Sequence, residues 1–252
     1  MTDPRLHRFQ TAEAFAAATF AWLEREEAAH NIFFGVAGDV ERYPRRYPGD
    51  NYFATVREGG DIQMALMQTP PHNLILSRSA GDEAVRLAAR TLAESGRDIP
   101  GILSVPAEAD VFIAAYRQAC GVEMGVASRQ RIYQASRVVP PDTPAGEFRR
   151  AEHGDLDVLV DWVVSFEREV MGNDADDLDS QVANKVSDMV RADAVGLWVV
   201  DGEPVSMAAA IGPTPHGIRV GYVYTPPARR RSGFASACVA RLTQAEFDDG
   251  RD

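Results

Sequence analysis

The chain has 252 residues, of which 45% are hydrophobic and 25% charged, proportions typical of a globular protein with one large or two ordinary domains. Its net charge of −11 argues against nucleic-acid or anionic-membrane partners, whose non-specific binding needs an excess of cationic side chains. No apolar run is long enough to cross a bilayer, and the N-terminus lacks the apolar core of a signal peptide, so we predict a cytoplasmic protein. Cys120 and Cys238 lie in apolar, helical patterns, and we predict that both are reduced core residues.

The first half of the chain alternates predicted helices and strands. Apolar residues at helical spacing predict a helix from about Thr11 to His30. Tyr52–Arg57 and Ile62–Gln68 alternate like the strands of a hairpin. The remaining predicted elements are a strand Asn73–Ser77, a helix containing Val85 and Leu92, a strand Gly101–Val105, a helix Glu108–Ala119 and a long strand Val122–Ala135.

A proline-rich segment divides the two halves. Val138–Ala145 contains three prolines, which cannot continue a helix or a central strand. We therefore predict two domains, residues 1–140 and residues 141–252.

The second half repeats the opening of the order of elements in the first. Asp201-Gly202, between two predicted strands, is a dipeptide favoured by a type I′ hairpin turn, whose central residues both need positive φ. Because this half stops early, we expect it to lack a final strand–helix–strand unit, unless the domain is simply small or is completed by another chain. Its predicted elements are a strand Glu147–Arg150, a helix Leu156–Val170, a helix Ser180–Arg191, strands Val195–Val200, Val205–Ile211 and Ile218–Tyr224, and a helix containing Phe234 and Leu242.

One junction in the second half carries a chemical signal. The last predicted strand runs into Thr225-Pro226-Pro227, where the prolines force the chain out of the sheet. Three arginines, Arg229–Arg231, then precede Ser232-Gly233 and a helix. Because free backbone amides and the helix dipole at a helix N-terminus favour anions, this arrangement predicts a diphosphate site. The alternative interpretation is a solvated basic loop before an ordinary helix.

The same junction resembles the CoA-binding signature of the GNAT superfamily of N-acyltransferases, Arg/Gln-x-x-Gly-x-Gly/Ala after the fourth strand. The resemblance covers roughly residues 147–250, and it departs from the pattern at Arg231, where glycine is frequent. It implies an α/β fold with a mixed sheet, in tandem GNAT-like domains, and acetyl-CoA as cosubstrate. The residues that it implies in cofactor binding are Val223, Tyr224 and Thr225 beside the pantetheine arm, and Arg230, Arg231, Ser232, Gly233, Phe234 and Ala235 around the pyrophosphate.

The resemblance implies an enzyme that transfers an acetyl group from acetyl-CoA to the primary amine of a small molecule or peptide by direct attack. Glu167 and Glu169 are candidate bases, although either could be a solvated carboxylate at a helix end. No spaced set of His, Cys, Asp and Glu indicates a metal. The alternative function is an inactive CoA-binding or regulatory module. A sheet edge near Tyr222 could also support a homo-oligomer.

The first half contains a degraded copy of the signature. Arg78-Ser79-Ala80-Gly81 follows a predicted strand, but Asp82 and Glu83 would place negative charge beside any diphosphate. We therefore predict that the first half is a degenerate GNAT-like domain without cofactor.

Overall fold

The computed structural model describes residues 3–173 and 175–251 and shows a mixed α/β protein. The chain forms two compact units, Met1–Tyr133 and Gln134–Asp252, each built around its own sheet. The predicted domain boundary, between residues 140 and 141, lies shortly after this division. Among the described residues, no helix is both long and apolar enough to span a membrane.

The elements of the first unit are β1 (Arg5–Phe9), α1 (Ala12–Leu23), α2 (Asn31–Arg42), β2 (Tyr52–Glu58), β3 (Asp61–Gln68), β4 (Leu74–Leu76), α3 (Asp82–Ser95), β5 (Ile102–Leu103) and α4 (Pro106–Cys120). The strands lie in the order β1-β2-β3-β4-β5; neighbours are antiparallel except β4 and β5, which are parallel. Because successive side chains of a strand point to opposite faces, this sheet builds two cores. Met64 and Leu66 pack with α3 and α4, whereas Ala65 and Met67 pack with α1 and α2.

The start of the first unit differs from the prediction. A strand, β1, precedes the first helix. It lies at the edge of the sheet with most of its side chains exposed, so its sequence lacks the alternation of apolar and polar residues that predicts a strand. The first helix is capped by Thr11, whose hydroxyl oxygen accepts from the Ala14 amide at 3.1 Å. It ends at Leu23 rather than at His30, and α2 follows as a separate helix.

Two further predictions for this region were wrong. Val122–Ala135 forms no strand: Val126 and Tyr133 are 68% and 83% exposed, and no strand in the described part of the chain pairs with this segment. An alternating pattern becomes a strand only where a neighbouring strand accepts its backbone hydrogen bonds. Cys120 is exposed at the end of α4, not buried.

The elements of the second unit are β6 (Glu147–Arg150), α5 (Leu156–Phe166), a π-helical turn (Glu167–Met171), α6 (Leu178–Arg191), β7 (Val195–Val200), β8 (Glu203–Ile211), β9 (Arg219–Tyr224) and α7 (Phe234–Asp248). The strands are antiparallel in the order β6-β7-β8-β9. Residues from α5 and α6 cover one face of the sheet. Residues from α7 cover the other, where Cys238 is fully buried and burial raises the pKa of its thiol to about 12.

Both units begin with the same order of elements. Each runs strand, two helices, three antiparallel strands and a helix. The predicted hairpin turn in the second unit has the expected geometry, because Asp201 and Gly202 adopt φ of +51° and +84°. The junction predicted to bind a diphosphate lies between the edge strand β9 and α7.

Candidate functional site

The edge strand β9 contains a bulge. Tyr224 pairs with Met207 and Gly221 with Ala209, so β9 has one more residue than β8 between these pairs. The extra residue falls at Tyr222, whose φ of +47° is a left-handed conformation rarely adopted by a bulky residue. Such bulges re-aim side chains, and strained backbone clusters at functional sites.

Beyond the bulge, β9 has a free side. The Tyr224 carbonyl accepts a hydrogen bond from the Ser206 hydroxyl on β8 at 3.1 Å, so it faces the sheet. Since backbone groups alternate along a strand, those of Val223 and Thr225 face the open edge. The Thr225 carbonyl accepts from Arg230 Nε at 2.8 Å.

The chain then leaves the sheet through a tight turn. Pro227–Arg229 forms a 3-10 turn, and Arg231 and Gly233 adopt φ of +63° and +82° before α7 begins at Phe234. Arg231 thus stands in a conformation that favours glycine, at the position where the GNAT signature often has glycine.

This turn leaves a row of backbone amides unpaired. No side chain in the described part of the chain caps α7. Within the described residues, no backbone or side-chain acceptor is bonded to the amides of residues 231–236. Together with the helix dipole, these amides form a site suited to an anion.

The nine residues predicted to bind cofactor line one groove of about 380 Å³. Glu169 and Val170, from the π-helical turn, also line this groove, so it lies between that turn and the junction of β9 with α7. The predicted residues on its wall are Val223, Tyr224, Thr225, Arg230, Arg231, Ser232, Gly233, Phe234 and Ala235.

An ion pair connects the two sides of this groove. Arg230 donates to both carboxylate oxygens of Glu169, each at 2.7 Å, while its guanidinium lies 5.6 Å from the centre of the Tyr224 ring. The hydrogen bonds from Arg230 lower the pKa of the Glu169 carboxyl. Glu169 is therefore held ionised as the partner of Arg230.

A second cluster surrounds Glu167. Its side chain is only 11% exposed, and Oε1 accepts from Tyr222 Oη at 3.0 Å and from Lys185 Nζ at 3.3 Å. Lys185 also donates to Tyr222 Oη at 2.6 Å. Oε2 has no hydrogen bond from the described residues. One carboxylate oxygen is thus fixed by two donors, and the other is available.

The protonation states of this cluster follow from burial and pairing. Burial raises the pKa of the Tyr222 hydroxyl and outweighs the opposing effect of Lys185, so the tyrosine stays neutral. Burial disfavours the Lys185 ammonium, but Tyr222 and Glu167 outweigh burial and raise its pKa. The cluster therefore contains a lysine cation and a neutral phenol against one carboxyl group.

The sequence suggested Glu167 as a candidate base, but it gave no indication that Lys185 and Tyr222 would contact it. Lys185 is the lone lysine of the chain, which could have marked it, but it lies 18 residues from Glu167 on another helix. Tyr222 looked like an ordinary strand residue, because the bulge that turns its side chain toward the helix leaves no trace in the local pattern.

The matching junction of the first unit is partly closed. The amides of Arg78, Ser79 and Ala80 donate to His30 Nε2, Glu108 Oε1 and the Gln63 carbonyl at 2.8–3.2 Å. Asp82 and Glu83 then place two carboxylates in the first turn of α3, where an anion would bind. This junction is therefore less suited to an anion than the one before α7.

Comparison with known proteins gives matches of fold. No family model and no curated protein matches the chain. A Drosophila protein of known structure has a TM-score of 0.56 at 14% identity, covering 98% of this chain and 86% of that one. A GNAT-family acetyltransferase from Colwellia psychrerythraea matches at 9% identity over 98% of this chain and 87% of its own, with a TM-score of 0.47.

A shorter solved structure matches part of the chain. It is a predicted acetyltransferase from Clostridium acetobutylicum with acetyl-CoA, 16% identical, covering 42% of this chain and 76% of its own, with a TM-score of 0.36. Solved structures that match this chain include proteins described as acetyltransferases, and at these identities the likeness is one of fold.

Proposed function

We propose that the second unit binds acetyl-CoA and transfers its acetyl group to a primary amine of a small molecule or peptide. The row of unpaired amides at residues 231–236, directly after the open edge of β9, is the observation that carries this proposal. It fits a ligand that combines a diphosphate with an extended arm bearing amide groups. The occupied amides of Ser79 and Ala80, together with Asp82 and Glu83 in the first turn of α3, support assigning the cofactor to the second unit alone.

In this proposal, each part of the groove meets one part of the cofactor. The amides of the turn hold the diphosphate, and exposed Arg229 and Arg231 add positive charge beside it. The outward backbone groups of Val223 and Thr225 pair with the amides of the pantetheine arm. Arg230 Nε now donates to the Thr225 carbonyl, so this hydrogen bond must break when the pantetheine arm pairs with that carbonyl.

We assign the base to Glu167 rather than Glu169. Both oxygens of Glu169 accept from Arg230, which also lowers the pKa of that carboxyl. Glu167 keeps Oε2 available while Tyr222 and Lys185 hold Oε1. The amine nitrogen attacks the thioester carbonyl carbon, Glu167 Oε2 takes a proton from that nitrogen, and the carbon–sulfur bond breaks to release CoA as its thiolate.

The test separates binding from chemistry. Thiol release is measured with acetyl-CoA and a panel of primary amines for the parent and Glu167→Gln, and acetyl-CoA binding is measured by calorimetry for both. We expect the variant to bind acetyl-CoA like the parent and to lose activity roughly 10²-fold or more, the usual contribution of a general base. Binding without transfer to any amine by the parent would favour the inactive module, and absence of binding would reject the cofactor site.

A further inference from the structure

We propose that the acceptor of this site is an amine that arrives uncharged, such as the α-amino group of a peptide, and that alkylammonium side chains are disfavoured. The proposal rests on the proposed function, and it names the class of amine that the Glu167 site accepts. The juxtaposition that carries it is a lysine ammonium already paired with the carboxylate that would meet the amine.

Lys185 occupies the place that a cationic substrate would need. Its Nζ lies 3.3 Å from Glu167 Oε1 and 2.6 Å from Tyr222 Oη, and 5.0 Å from the centre of the Tyr222 ring. An ammonium substrate on Oε2 of the same carboxylate would stand close to this cation. Like charges at such a distance repel, and the burial of Glu167 limits screening by water.

Among the described residues, only Lys185 and Tyr222 are hydrogen-bonded to the Glu167 side chain. The groups that face Glu167 from α6 and β9 are Lys185 and Tyr222, and α5 contributes Phe166, whose ring packs on Tyr222 at 5.1 Å. Glu169 of the π-helical turn is paired with Arg230 at 2.7 Å, and Asp179 is paired with Arg168 of the same turn at 3.4 Å. Among the described residues, no further carboxylate is hydrogen-bonded within this cluster.

This charge balance selects by basicity. An α-amino group has a pKa of roughly 7.8 and a lysine side chain one of roughly 10.4, so at pH 7.5 roughly one third of the first but only roughly one in 800 of the second is uncharged. A site that admits the uncharged amine therefore favours the α-amine by roughly two orders of magnitude. The amine nitrogen becomes acidic only after it has attacked the carbonyl carbon, and Glu167 takes its proton at that point.

The experiment compares two peptides of one sequence. One has a free α-amine and an acetylated lysine side chain, and the other has an acetylated N-terminus and a free lysine. The values of kcat/KM for acetyl transfer are measured by mass spectrometry from pH 6.5 to 9 for the parent, Lys185→Met and the charge-preserving control Lys185→Arg. Circular dichroism confirms that each variant is folded.

We expect the parent to prefer the α-amine peptide by at least about 50-fold at pH 7.5, as the uncharged fractions dictate. In Lys185→Met the competing cation is gone, so Glu167 can bind the lysine peptide as its ammonium and take the proton within the site. The preference should then fall below about 10-fold, whereas Lys185→Arg should retain it. A parent that prefers the lysine peptide, or a preference unchanged in Lys185→Met, overturns the proposal.

A second measurement does not depend on activity. Calorimetry measures the binding of both peptides at pH 7.5 to the parent, Lys185→Met and Lys185→Arg in the presence of excess CoA. Lys185→Met should bind the lysine peptide at least about 10-fold more tightly than the parent, because the ammonium no longer meets the Lys185 cation, whereas Lys185→Arg should show no gain. If no variant transfers acetyl groups yet this gain is present, the proposed function fails while the charge pairing stands. If the gain is absent, the present inference fails whatever the activity.

Discussion

Replacing Gly233 tests the diphosphate site most directly. Gly233 is exposed at the start of α7, and a Cβ built on it would meet only Pro144, at 3.9 Å. Glu therefore fits sterically, although the φ of +82° makes any side chain there cost about 1 kcal/mol of stability. Gly233→Gln has the same length and the same backbone cost, so comparing Glu with Gln isolates the charge.

The expected size of the effect follows from Coulomb's law. A carboxylate about 5 Å from a diphosphate with two negative charges is repelled by about 1.7 kcal/mol at the dielectric constant of water, which is appropriate for this exposed position. That energy corresponds to a roughly 17-fold rise in Kd for Gly233→Glu over Gly233→Gln. The carboxylate can also accept hydrogen bonds from the free amides of the turn, which adds to the competition.

The assay is calorimetric titration with acetyl-CoA at 0.1 M and 1 M salt. Because the screening length falls from about 10 Å to about 3 Å over this range, the difference between the Glu and Gln variants should shrink at high salt. Equal affinities for the two variants at low salt would mean that no anion binds at these amides, and the assignment of the site would be refuted.

Two further predictions concern ion pairs of the second unit. Glu169→Gln should retain acyl transfer and bind acetyl-CoA more tightly than the parent, because it frees Arg230 from its carboxylate partner; loss of transfer with unchanged affinity would instead make Glu169 the base. Asp155 accepts from Arg149 at 2.6 and 2.7 Å and from the Glu152 amide at 2.7 Å, and the Arg149 hydrogen bonds lower the pKa of its carboxyl. The ionised Asp155 carboxylate therefore contributes fully to the free energy of unfolding above about pH 3.8, and this contribution is lost as the pH falls through the lower pKa of the folded state. Asp155→Asn should lower the free energy of unfolding, measured with urea, by about 2 kcal/mol at pH 7 and by much less near pH 2. The exposed Asp157→Asn is the control, and an equal loss in that variant would contradict the reasoning.

Several features of this protein were determined by the sequence alone, because their causes are local. Two prolines end β9, and Gly233 permits the left-handed turn that exposes amides before α7. Asp201-Gly202 supports the hairpin turn for the same kind of reason. Each of these depends on the backbone preferences of one or two residues, which a short window of sequence records.

Other features were decided only by tertiary structure. Glu167 meets Lys185 and Tyr222 across separations of 18 and 55 residues, and Arg230 meets Glu169 across 61. The segment Val122–Ala135 shows the converse, since its alternating pattern finds no partner strand in the described part of the chain. Hydrogen bonds, ion pairs and strand pairing join residues that are distant along the chain, so periodicity within a window cannot specify them.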